Sequence, residues 1–235
     1  VTETLNTTLD EGVAMVGDSV RFLKGEGREV LFDAEHFFDG YKRNPEYSLQ
    51  VLEAAATGGV DRLVLCDTNG GSLPHEVERI VAEVVDYFGG DVAVGVHLHD
   101  DTGCGVANAL AGVRGGATQV QGTINGYGER CGNANLCSLI PVLQLKMGMK
   151  LVPDEQLQGL TDLSHYVSEL ANVRPEPRQP FVGINAFTHK AGLHADAMGK
   201  VEESYQHIPP QSVGNRKRIL VSELAGKSKI GRAHV

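Results

Sequence analysis

Four short apolar runs recur along the first part of the chain, and each ends in polar residues. They cover residues 28–35, 61–68, 91–99 and 118–125. The first three are rich in valine, leucine and phenylalanine, as in strands that are buried on both faces. Segments with helical spacing separate the runs, so strands alternate with helices at intervals of roughly 25–33 residues. This alternation predicts βα units arranged around a parallel sheet.

The intervening segments carry signals for the start and the end of helices. Asn44 followed by proline begins one predicted helix, Ser72 followed by Pro74 begins another, and a pair of glycines ends each of them. Pro141 is expected to kink a later helix. The complete set of predicted helices covers residues 5–27, 44–59, 72–90, 105–116, 133–148 and 153–170.

Chemically active side chains cluster where the predicted strands end. The strand ends carry Asp33 and Glu35, Asp67 and Thr68, His97 and His99, and Asn125. A (β/α)8 barrel places its active site at this end of its strands, and a doubly wound sheet binds its ligands there as well. No glycine-rich phosphate-binding sequence follows any of the four strands. The repeated acidic and polar ends therefore favour a barrel.

Two histidines at the end of the third strand are candidates for metal ligands. His97 and His99 are two residues apart, so on a strand their side chains point to the same side. This spacing allows two imidazoles to bind one divalent cation. The pair can equally be hydrogen-bonded and inert, and Asp100 and Asp101 can cap the next helix. For the pair alone, the sequence leaves the two interpretations evenly balanced.

A glycine-rich loop over residues 125–136 follows the fourth strand and carries Glu129, Arg130 and Asn133. Glycines permit tight turns and a close approach of the backbone. Three such polar side chains near a barrel mouth indicate a function, and the amide oxygen of Asn133 can join the two histidines on a cation. The alternative role of Asn133 is to cap the helix that follows.

The first two strand ends offer two acids and a hydroxyl group. Glu35 and Asp67 are each candidates for a general base, and each can instead pair with Arg130. Asp67 and Thr68 together can bind a substrate carboxylate through the hydroxyl and backbone amides, or they can simply start a turn. Candidate acid–base groups thus follow strands that neighbour the candidate metal site.

The overall composition excludes several classes of protein. The chain has 235 residues, of which 41% are hydrophobic, and its formal net charge is −9. The chain has no block of lysine and arginine that would indicate a nucleic-acid-binding surface, and it has no apolar run long enough to span a membrane. The first residues lack the apolar core of a secretory signal, so a cytoplasmic location is expected. The four cysteines form no Cys-x-x-Cys pair and are expected to be reduced thiols.

The series of βα units ends before a proline-rich stretch over residues 173–180, which predicts a linker. The polar, histidine-containing residues beyond it predict the start of a small appended subdomain over 181–229. Residues 230–235 are expected to be a non-native tail.

Three stretches together resemble a known enzyme family: HLHDDTG (97–103), NGYGERCGNA (125–134) and FTHKAGLHADA (187–197). The chain is similar to the acyl-CoA-condensing synthases that include 2-isopropylmalate synthase and homocitrate synthase. This resemblance implies an α/β fold of the TIM-barrel type. Residues 1–172 would form the C-terminal half of the (β/α)8 barrel, with strands 5–8, and a small helical subdomain would follow.

The resemblance also implies roles for single residues. A divalent metal cation, Mg²⁺, Mn²⁺ or Zn²⁺, would be held by His97, His99 and Asn133. Substrates would be contacted by Asp33, Thr68, Glu129 and Arg130. The base that deprotonates acetyl-CoA would be Glu35, and further catalytic residues from the subdomain would be His194 and Tyr205.

The implied reaction is a metal-assisted Claisen condensation of acetyl-CoA with a 2-oxo acid, catalysed by a homodimer. The resemblance is strongest to the subgroup that uses pyruvate and forms (R)-citramalate for isoleucine biosynthesis. Synthases that form 2-isopropylmalate or homocitrate are alternatives within the family, and a lyase of the hydroxymethylglutaryl-CoA type is a more distant one. The alternative outside catalysis is a half-barrel that serves as a binding module.

The family begins its barrel with a strand that ends in Arg-Asp-Gly, and these 235 residues contain no such stretch. In the family, the aspartate of that motif is a metal ligand and the arginine contacts the substrate. The 235-residue chain is therefore expected to be catalytically inactive by itself and to expose a sheet edge.

Overall fold

The computed structural model describes residues 1–189 and 206–219. The chain divides into two compact units, Val1–Asn135 and Leu136–Val235. The predicted catalytic residues His194 and Tyr205 lie outside the described residues, and so does the predicted tail. The boundaries of the predicted linker and subdomain stay predictions.

Strands and helices alternate along the first unit. Its helices are α1 (Leu9–Gly25), α2 (Phe37–Arg43), α3 (Pro45–Thr57), α4 (Pro74–Phe88) and α5 (Gly105–Arg114). Its strands are β1 (Leu31–Ala34), β2 (Arg62–Asp67), β3 (Ala93–Leu98) and β4 (Gln119–Gln121). All four predicted strands are present, and each is shorter than the apolar run that predicts it.

The four strands form one parallel sheet in the order β1-β2-β3-β4. Parallel neighbours need a crossover connection, and helices supply it between each pair of strands. Every residue of β2 from Leu63 to Asp67 is buried, which explains its mainly aliphatic sequence. Within the described sheet β1 and β4 are the edge strands. The predicted α/β architecture with a parallel sheet is confirmed.

The helix α4 packs one apolar stripe into the core. Its buried residues have the spacing of one helix face and are Val77, Ile80, Val81 and Val84. The helix is capped at Leu73, whose backbone N–H donates to the Glu76 carboxylate at 2.8 Å. The prediction of Ser72 as the cap is therefore wrong by one residue. The Ser72 N–H instead donates to Asp67 Oδ2 at 3.0 Å, because it closes the turn after β2.

The apolar pattern predicts no helix between the first strand and residue 44, yet α2 lies there. His36 adopts a left-handed conformation with φ 57° directly before it, and Phe37 and Phe38 are then buried. A helix of seven residues is too short for its periodicity to be recognised in the sequence. Asn44 caps α3 as predicted, since its Oδ1 accepts from the Tyr47 N–H at 3.1 Å.

The described residues of the second unit are mainly helical. Its helices are α6 (Leu136–Pro141), α7 (Asp154–Leu157) and α8 (Leu160–Leu170). A π-helical turn over Val142–Lys146 follows α6, so the helix predicted over 133–148 starts later and changes geometry after Pro141. The helix predicted over 153–170 is interrupted near Gly159.

Two short parallel strands, β5 (Thr188–His189) and β6 (Arg218–Ile219), also pair in the second unit, and neither is predicted by the apolar pattern. No helix in the described part of either unit has the length and the apolar character needed to cross a membrane.

Asn215 connects two segments of the second unit that are distant in the sequence. Its side chain is buried, and Nδ2 donates to the carbonyl oxygens of Phe181 at 2.9 Å and Gly183 at 3.0 Å. Its Oδ1 accepts from the Arg216 N–H at 2.8 Å. A single amide thus donates to two buried carbonyl groups and accepts from one backbone N–H, and the Gly183 oxygen also accepts from the Ala186 N–H at 3.0 Å.

Replacing Asn215 by alanine should lower the free energy of unfolding of the second unit by about 2 kcal/mol. The loss is expected because the Phe181 carbonyl oxygen and the Arg216 N–H would lose their partners, and the Gly183 oxygen would keep only the Ala186 N–H. Urea denaturation followed by circular dichroism measures it. The control is Gln211→Ala, an exposed position in the same segment, where a change below about 0.5 kcal/mol is expected. Equal losses in the two variants would contradict the assigned role of Asn215.

Candidate metal and substrate site

The carboxyl ends of the strands bring polar side chains to one face of the sheet in the first unit. The register places Cys66 beside His97, and His97 beside Gln121. Asp33 lies beside Val64, two residues before Cys66 on β2. Because paired residues of neighbouring strands project from the same face, Asp33, His97 and Gln121 share one face although they come from three strands.

His97 and His99 form the centre of this site. Their Nε2 atoms are 3.3 Å apart. The amide nitrogen of Asn133 lies 3.1 Å from His97 Nε2. An isolated antiparallel bridge between His99 and Asn133 holds the loop that carries the amide beside β3. The structure therefore brings together the three residues that the sequence selects as metal ligands.

The separation of the two ring nitrogens suits a shared cation. Two nitrogens bound to one ion at about 2.1 Å lie roughly 3.0–3.4 Å apart when the angle at the ion is about 90–109°. The observed 3.3 Å falls within this interval. Rotating the Asn133 amide group exchanges its nitrogen and oxygen, so the oxygen can face the same point.

A cation at this point would have two imidazoles and one amide oxygen as its ligands from this chain. Among the described residues, no group of three or more histidine, cysteine, aspartate and glutamate side chains is arranged to hold a metal ion. Imidazole and amide oxygen are both ligands of divalent cations.

The surroundings of His99 favour its neutral form. Burial lowers the pKa of His99, and the neighbouring His97 and Arg130 lower it further. A neutral imidazole is the form that binds a metal ion. The two rings differ at their other nitrogen. His97 Nδ1 lies 2.7 Å from Gln121 Oε1, whereas His99 Nδ1 is buried and has no hydrogen-bond partner among the described residues.

A left-handed glycine shapes the loop that carries Asn133. Gly132 has φ 93°, and a Cβ at this position would overlap with the carbonyl oxygen of Gly126. The Asn133 N–H donates to the same Gly126 oxygen at 3.0 Å, and the Gly132 oxygen accepts from the Asp100 N–H at 2.9 Å. The position of the Asn133 amide therefore depends on a residue without a side chain at position 132.

Replacing Gly132 by alanine should lower the free energy of unfolding of the first unit by about 2–3 kcal/mol, because steric overlap is added to backbone strain. Urea denaturation measures this loss. Gly103→Ala is the matched control, since Gly103 also has a left-handed φ of 71° but open space around it. Its cost should be only the strain, about 1 kcal/mol. Equal costs at the two positions would show that the overlap with Gly126 does not determine the loop.

Arg130 joins the loops that follow β2, β3 and β4. Its Nε and Nη2 donate to the two carboxylate oxygens of Asp101 at 2.7 and 3.0 Å. Nη2 also donates to the carbonyl oxygen of Thr68 at 2.6 Å. The acid that is hydrogen-bonded to Arg130 is thus Asp101, rather than Glu35 or Asp67 as considered from the sequence.

The Arg130 guanidinium holds the pKa of Asp101 below its usual range. The ion pair is therefore complete above the ordinary aspartate pKa of about 3.9 and is lost as the pH falls through the lowered value. Replacing Arg130 by glutamine should raise the pKa of Asp101 towards the ordinary value. A carboxyl ¹³C NMR titration measures it, with Asp91 before β3 as the unaffected reference. An unchanged midpoint for Asp101 would show that the pair does not form in solution.

Thr68 and Asp33 both accept hydrogen bonds at the strand ends. Thr68 Oγ1 accepts from the His36 N–H at 2.7 Å, which leaves the hydroxyl proton available for a ligand. Asp33 Oδ1 accepts from Gln121 Nε2 at 3.0 Å. Asp33, which is predicted to bind substrate, therefore also contacts Gln121 on another strand.

Glu35 and Glu129 are exposed acids near the same strand ends. The Glu129 side chain is 83% exposed and lies 3.6 Å from Arg130. Burial raises the pKa of Cys66 to about 12, and the negative charges of Asp33 and Glu35 contribute to the increase. Cys66 is thus a neutral thiol, and the Glu35 carboxylate lies near enough to act on it electrostatically while remaining accessible to a ligand.

Two other acids stabilise backbone turns, as the structural alternatives predict. Asp67 is 1% exposed and receives the Ser72 N–H, so it closes a turn and is buried away from a ligand. Asp100 Oδ1 accepts from the Gly105 N–H at 2.6 Å and caps the start of α5.

Gln121 is not among the site residues predicted from the sequence, although its side chain contacts both Asp33 and His97. The register of β3 and β4 pairs Val96 with Val120 and so places Gln121 beside His97. The sequence of the fourth apolar run alone does not fix this register.

Known proteins resemble this chain over nearly its whole length. Residues 1–167 match the HMGL-like family, and residues 181–234 match the homocitrate synthase post-HMGL domain-like family. The chain is 55% identical over 231 residues to the (R)-citramalate synthase of Aquifex aeolicus; the match covers 98% of this chain and 43% of that protein. It is 52% identical over 226 residues to the (R)-citramalate synthase of Streptomyces coelicolor, covering 96% and 42% of the two chains. The chain thus spans less than half the length of these relatives.

Solved structures show the same fold. The HMG-CoA lyase from Bacillus subtilis superposes with a TM-score of 0.61 at 21% identity, and the match covers 76% of this chain and 61% of that chain. This likeness, together with the four parallel strands, confirms the predicted fold class, in which the described βα units form part of a TIM barrel.

Proposed function

Because the chain belongs to the HMGL-like family, we propose that its βα units supply half of the active site of an acyl-CoA-condensing synthase. The proposed reaction joins acetyl-CoA to pyruvate and yields (R)-citramalate and CoA, in the cytoplasm and for isoleucine biosynthesis. The observation that carries the proposal is the convergence of His97, His99 and Asn133 at the strand ends. The names of the similar Aquifex and Streptomyces proteins support pyruvate as the oxo acid.

His97, His99 and Asn133 would hold a divalent cation. When bound, such a cation supplies a Lewis acid that polarises the ketone of the oxo acid. The lowered pKa of His99 supports this role, because the ring does not need to lose a proton near neutral pH before it binds.

Thr68 is proposed to bind the carboxylate of the oxo acid. Its hydroxyl oxygen is occupied by the His36 N–H, so the hydroxyl proton is the part that can donate to a ligand. Arg130 fixes the same residue from the other side through the Thr68 carbonyl oxygen, and Asp101 holds Arg130 in place. Arg130 thus acts as a positioning residue for Thr68.

Glu35 is proposed to be the base. Its carboxylate takes one proton from the methyl group of acetyl-CoA, and the resulting enolate carbon forms a bond to C2 of pyruvate. The former ketone oxygen gains a proton that protonated Glu35 returns by way of solvent, so it becomes the hydroxyl group of the product and Glu35 is again a carboxylate. Water then cleaves the thioester, which releases CoA and leaves the second carboxylate.

A chimera tests the proposal. The segment of the Aquifex aeolicus protein that matches this chain is replaced by residues of this chain, so that its other half completes the barrel. CoA release from acetyl-CoA is then measured with pyruvate, with the branched oxo acid that would give 2-isopropylmalate, and with the dicarboxylic oxo acid that would give homocitrate. We expect turnover with pyruvate at the highest kcat/KM.

The parent Aquifex protein and the 235-residue chain alone are the two controls, and the chain alone is expected to show no turnover. A folded chimera that preferred either of the other two oxo acids would refute pyruvate as the substrate. A folded chimera without turnover on any of the three would refute the proposed reaction.

A further inference from the structure

Gln121 lies between an acid of β1 and a histidine of β3. Its Nε2 donates to Asp33 Oδ1 at 3.0 Å, and its Oε1 lies 2.7 Å from His97 Nδ1. Asp33 and Gln121 are 88 residues apart in the sequence. A chain of two hydrogen bonds therefore crosses the face of the sheet and ends on the ring of one candidate ligand.

The direction of both hydrogen bonds follows from the chemistry of the groups. A carboxylate accepts hydrogen bonds and cannot donate them, so Asp33 requires the NH₂ group of Gln121. The amide oxygen of Gln121 must then face His97, and an oxygen at 2.7 Å accepts a hydrogen bond from Nδ1–H. A neutral imidazole carries only one N–H, so its Nε2 keeps a lone pair.

We propose that Gln121 is a positioning residue: anchored by Asp33, it holds His97 as the Nδ1–H tautomer and directs the Nε2 lone pair towards His99 and Asn133. The tautomer follows from the observed hydrogen bonds, whereas its use for a cation rests on the proposed function. Asp33 acts on His97 through Gln121 and has no need to contact the ring itself.

The two histidines differ in this respect. His99 Nδ1 has no partner among the described residues, so no described hydrogen bond at Nδ1 orients this ring. His97 is then the ligand whose geometry is set before a cation binds. Outer partners of metal-binding histidines orient the ring, and their removal typically weakens metal binding by about 10–100-fold.

The tautomer is read directly by long-range ¹H–¹⁵N NMR of the ¹⁵N-labelled 235-residue chain at pH 8.5, where an ordinary imidazole is neutral. We expect His97 to be the Nδ1–H form. In Gln121→Leu the Nε2–H form should become populated, because the acceptor for Nδ1 is lost. Gln121→Glu should keep the Nδ1–H form, since a carboxylate oxygen also accepts from Nδ1.

Asp33 and Gln119 provide two further comparisons. Asp33→Asn removes the anchor that orients the amide, so both tautomers should be populated. The double variant with Asp33→Asn and Gln121→Glu should restore the Nδ1–H form. Gln119→Leu changes the same residue type two positions earlier on β4, where the Gln119 Oε1 has no hydrogen-bond partner among the described residues, and it should leave His97 unchanged.

Titration with Mn²⁺ provides the second readout. The Mn²⁺ concentration that half-broadens the His97 and His99 signals should rise about 10–100-fold in Gln121→Leu. An Nε2–H form of His97 in the wild-type chain, or an unchanged tautomer in folded Gln121→Leu, would overturn the proposal. If the tautomers are as expected but Mn²⁺ broadens neither histidine in the wild-type chain, the proposed metal function fails while the tautomer assignment stands.

Discussion

Replacing Glu35 by glutamine in the chimera should lower kcat with pyruvate by about 10²- to 10⁴-fold, the usual range for the loss of a general base. The amide has nearly the same size as the carboxylate but cannot take a proton from the methyl group of acetyl-CoA. Both substrates should still bind, so KM should change little while kcat and kcat/KM fall together. Steady-state measurement of CoA release at several concentrations of each substrate separates the two constants.

Glu46→Gln is the matched control for this variant. Glu46 is an exposed glutamate in the first turn of α3, and its replacement should leave both constants within about a factor of two. Exchange of the methyl protons of acetyl-CoA with deuterated water gives an independent measurement of the proposed step. If folded Glu35→Gln kept the wild-type kcat, a residue other than Glu35 would have to be the base.

The strands and the central histidines could be predicted because they follow from local sequence patterns. Nearly continuous apolar runs identify buried parallel strands, and the carboxyl ends of such strands meet at one edge. The spacing of His97 and His99 then places both rings on the same side. Both features depend only on the period of a strand and the direction of its neighbours, and the structure shows both.

The partners of these residues could not be predicted in the same way, because they depend on contacts between distant loops. Several acids follow the strands and are possible partners of Arg130 in the sequence. Only the conformation of the folded loop shows that Arg130 pairs with Asp101. The bond between Asp33 and Gln121 joins the two edge strands of the described sheet, so the sequence of either strand does not reveal it. The short helix α2, which brings the His36 N–H to Thr68, is likewise set by tertiary packing.

These contacts also explain why the loops at the strand ends hold a defined geometry. Thr68 receives a hydrogen bond from the loop after β1, and its carbonyl oxygen receives one from Arg130 in the loop after β4. The Thr102 side chain donates to Gly70 O at 2.8 Å, which joins the loops after β2 and β3. Catalytic groups on loops need such support, because a displacement of about 1 Å can cost a large part of the rate.

Replacing His97 by alanine should abolish saturable binding of Mn²⁺ at the site, a loss of more than about 100-fold, since a direct ligand contributes more than its outer partners. His97 is the ring that contacts Gln121, Asn133 and His99, so the variant removes the common member of all three contacts. Mn²⁺ suits the measurement because thiols, such as that of the exposed Cys131, bind Mn²⁺ more weakly than they bind softer metal ions.

Broadening of the His99 NMR signals by Mn²⁺ measures the loss in a chain without a histidine tag. His75→Ala is the matched control, because His75 is exposed in the first turn of α4, and it should leave the midpoint unchanged. Mn²⁺ binding should be weakened more in His97→Ala than in Gln121→Leu, because the first variant removes a ligand and the second removes only the residue that orients it. If His97→Ala bound Mn²⁺ as well as the wild-type chain, the cation would be held elsewhere, and the two imidazoles would be hydrogen-bonded partners without a role in metal binding.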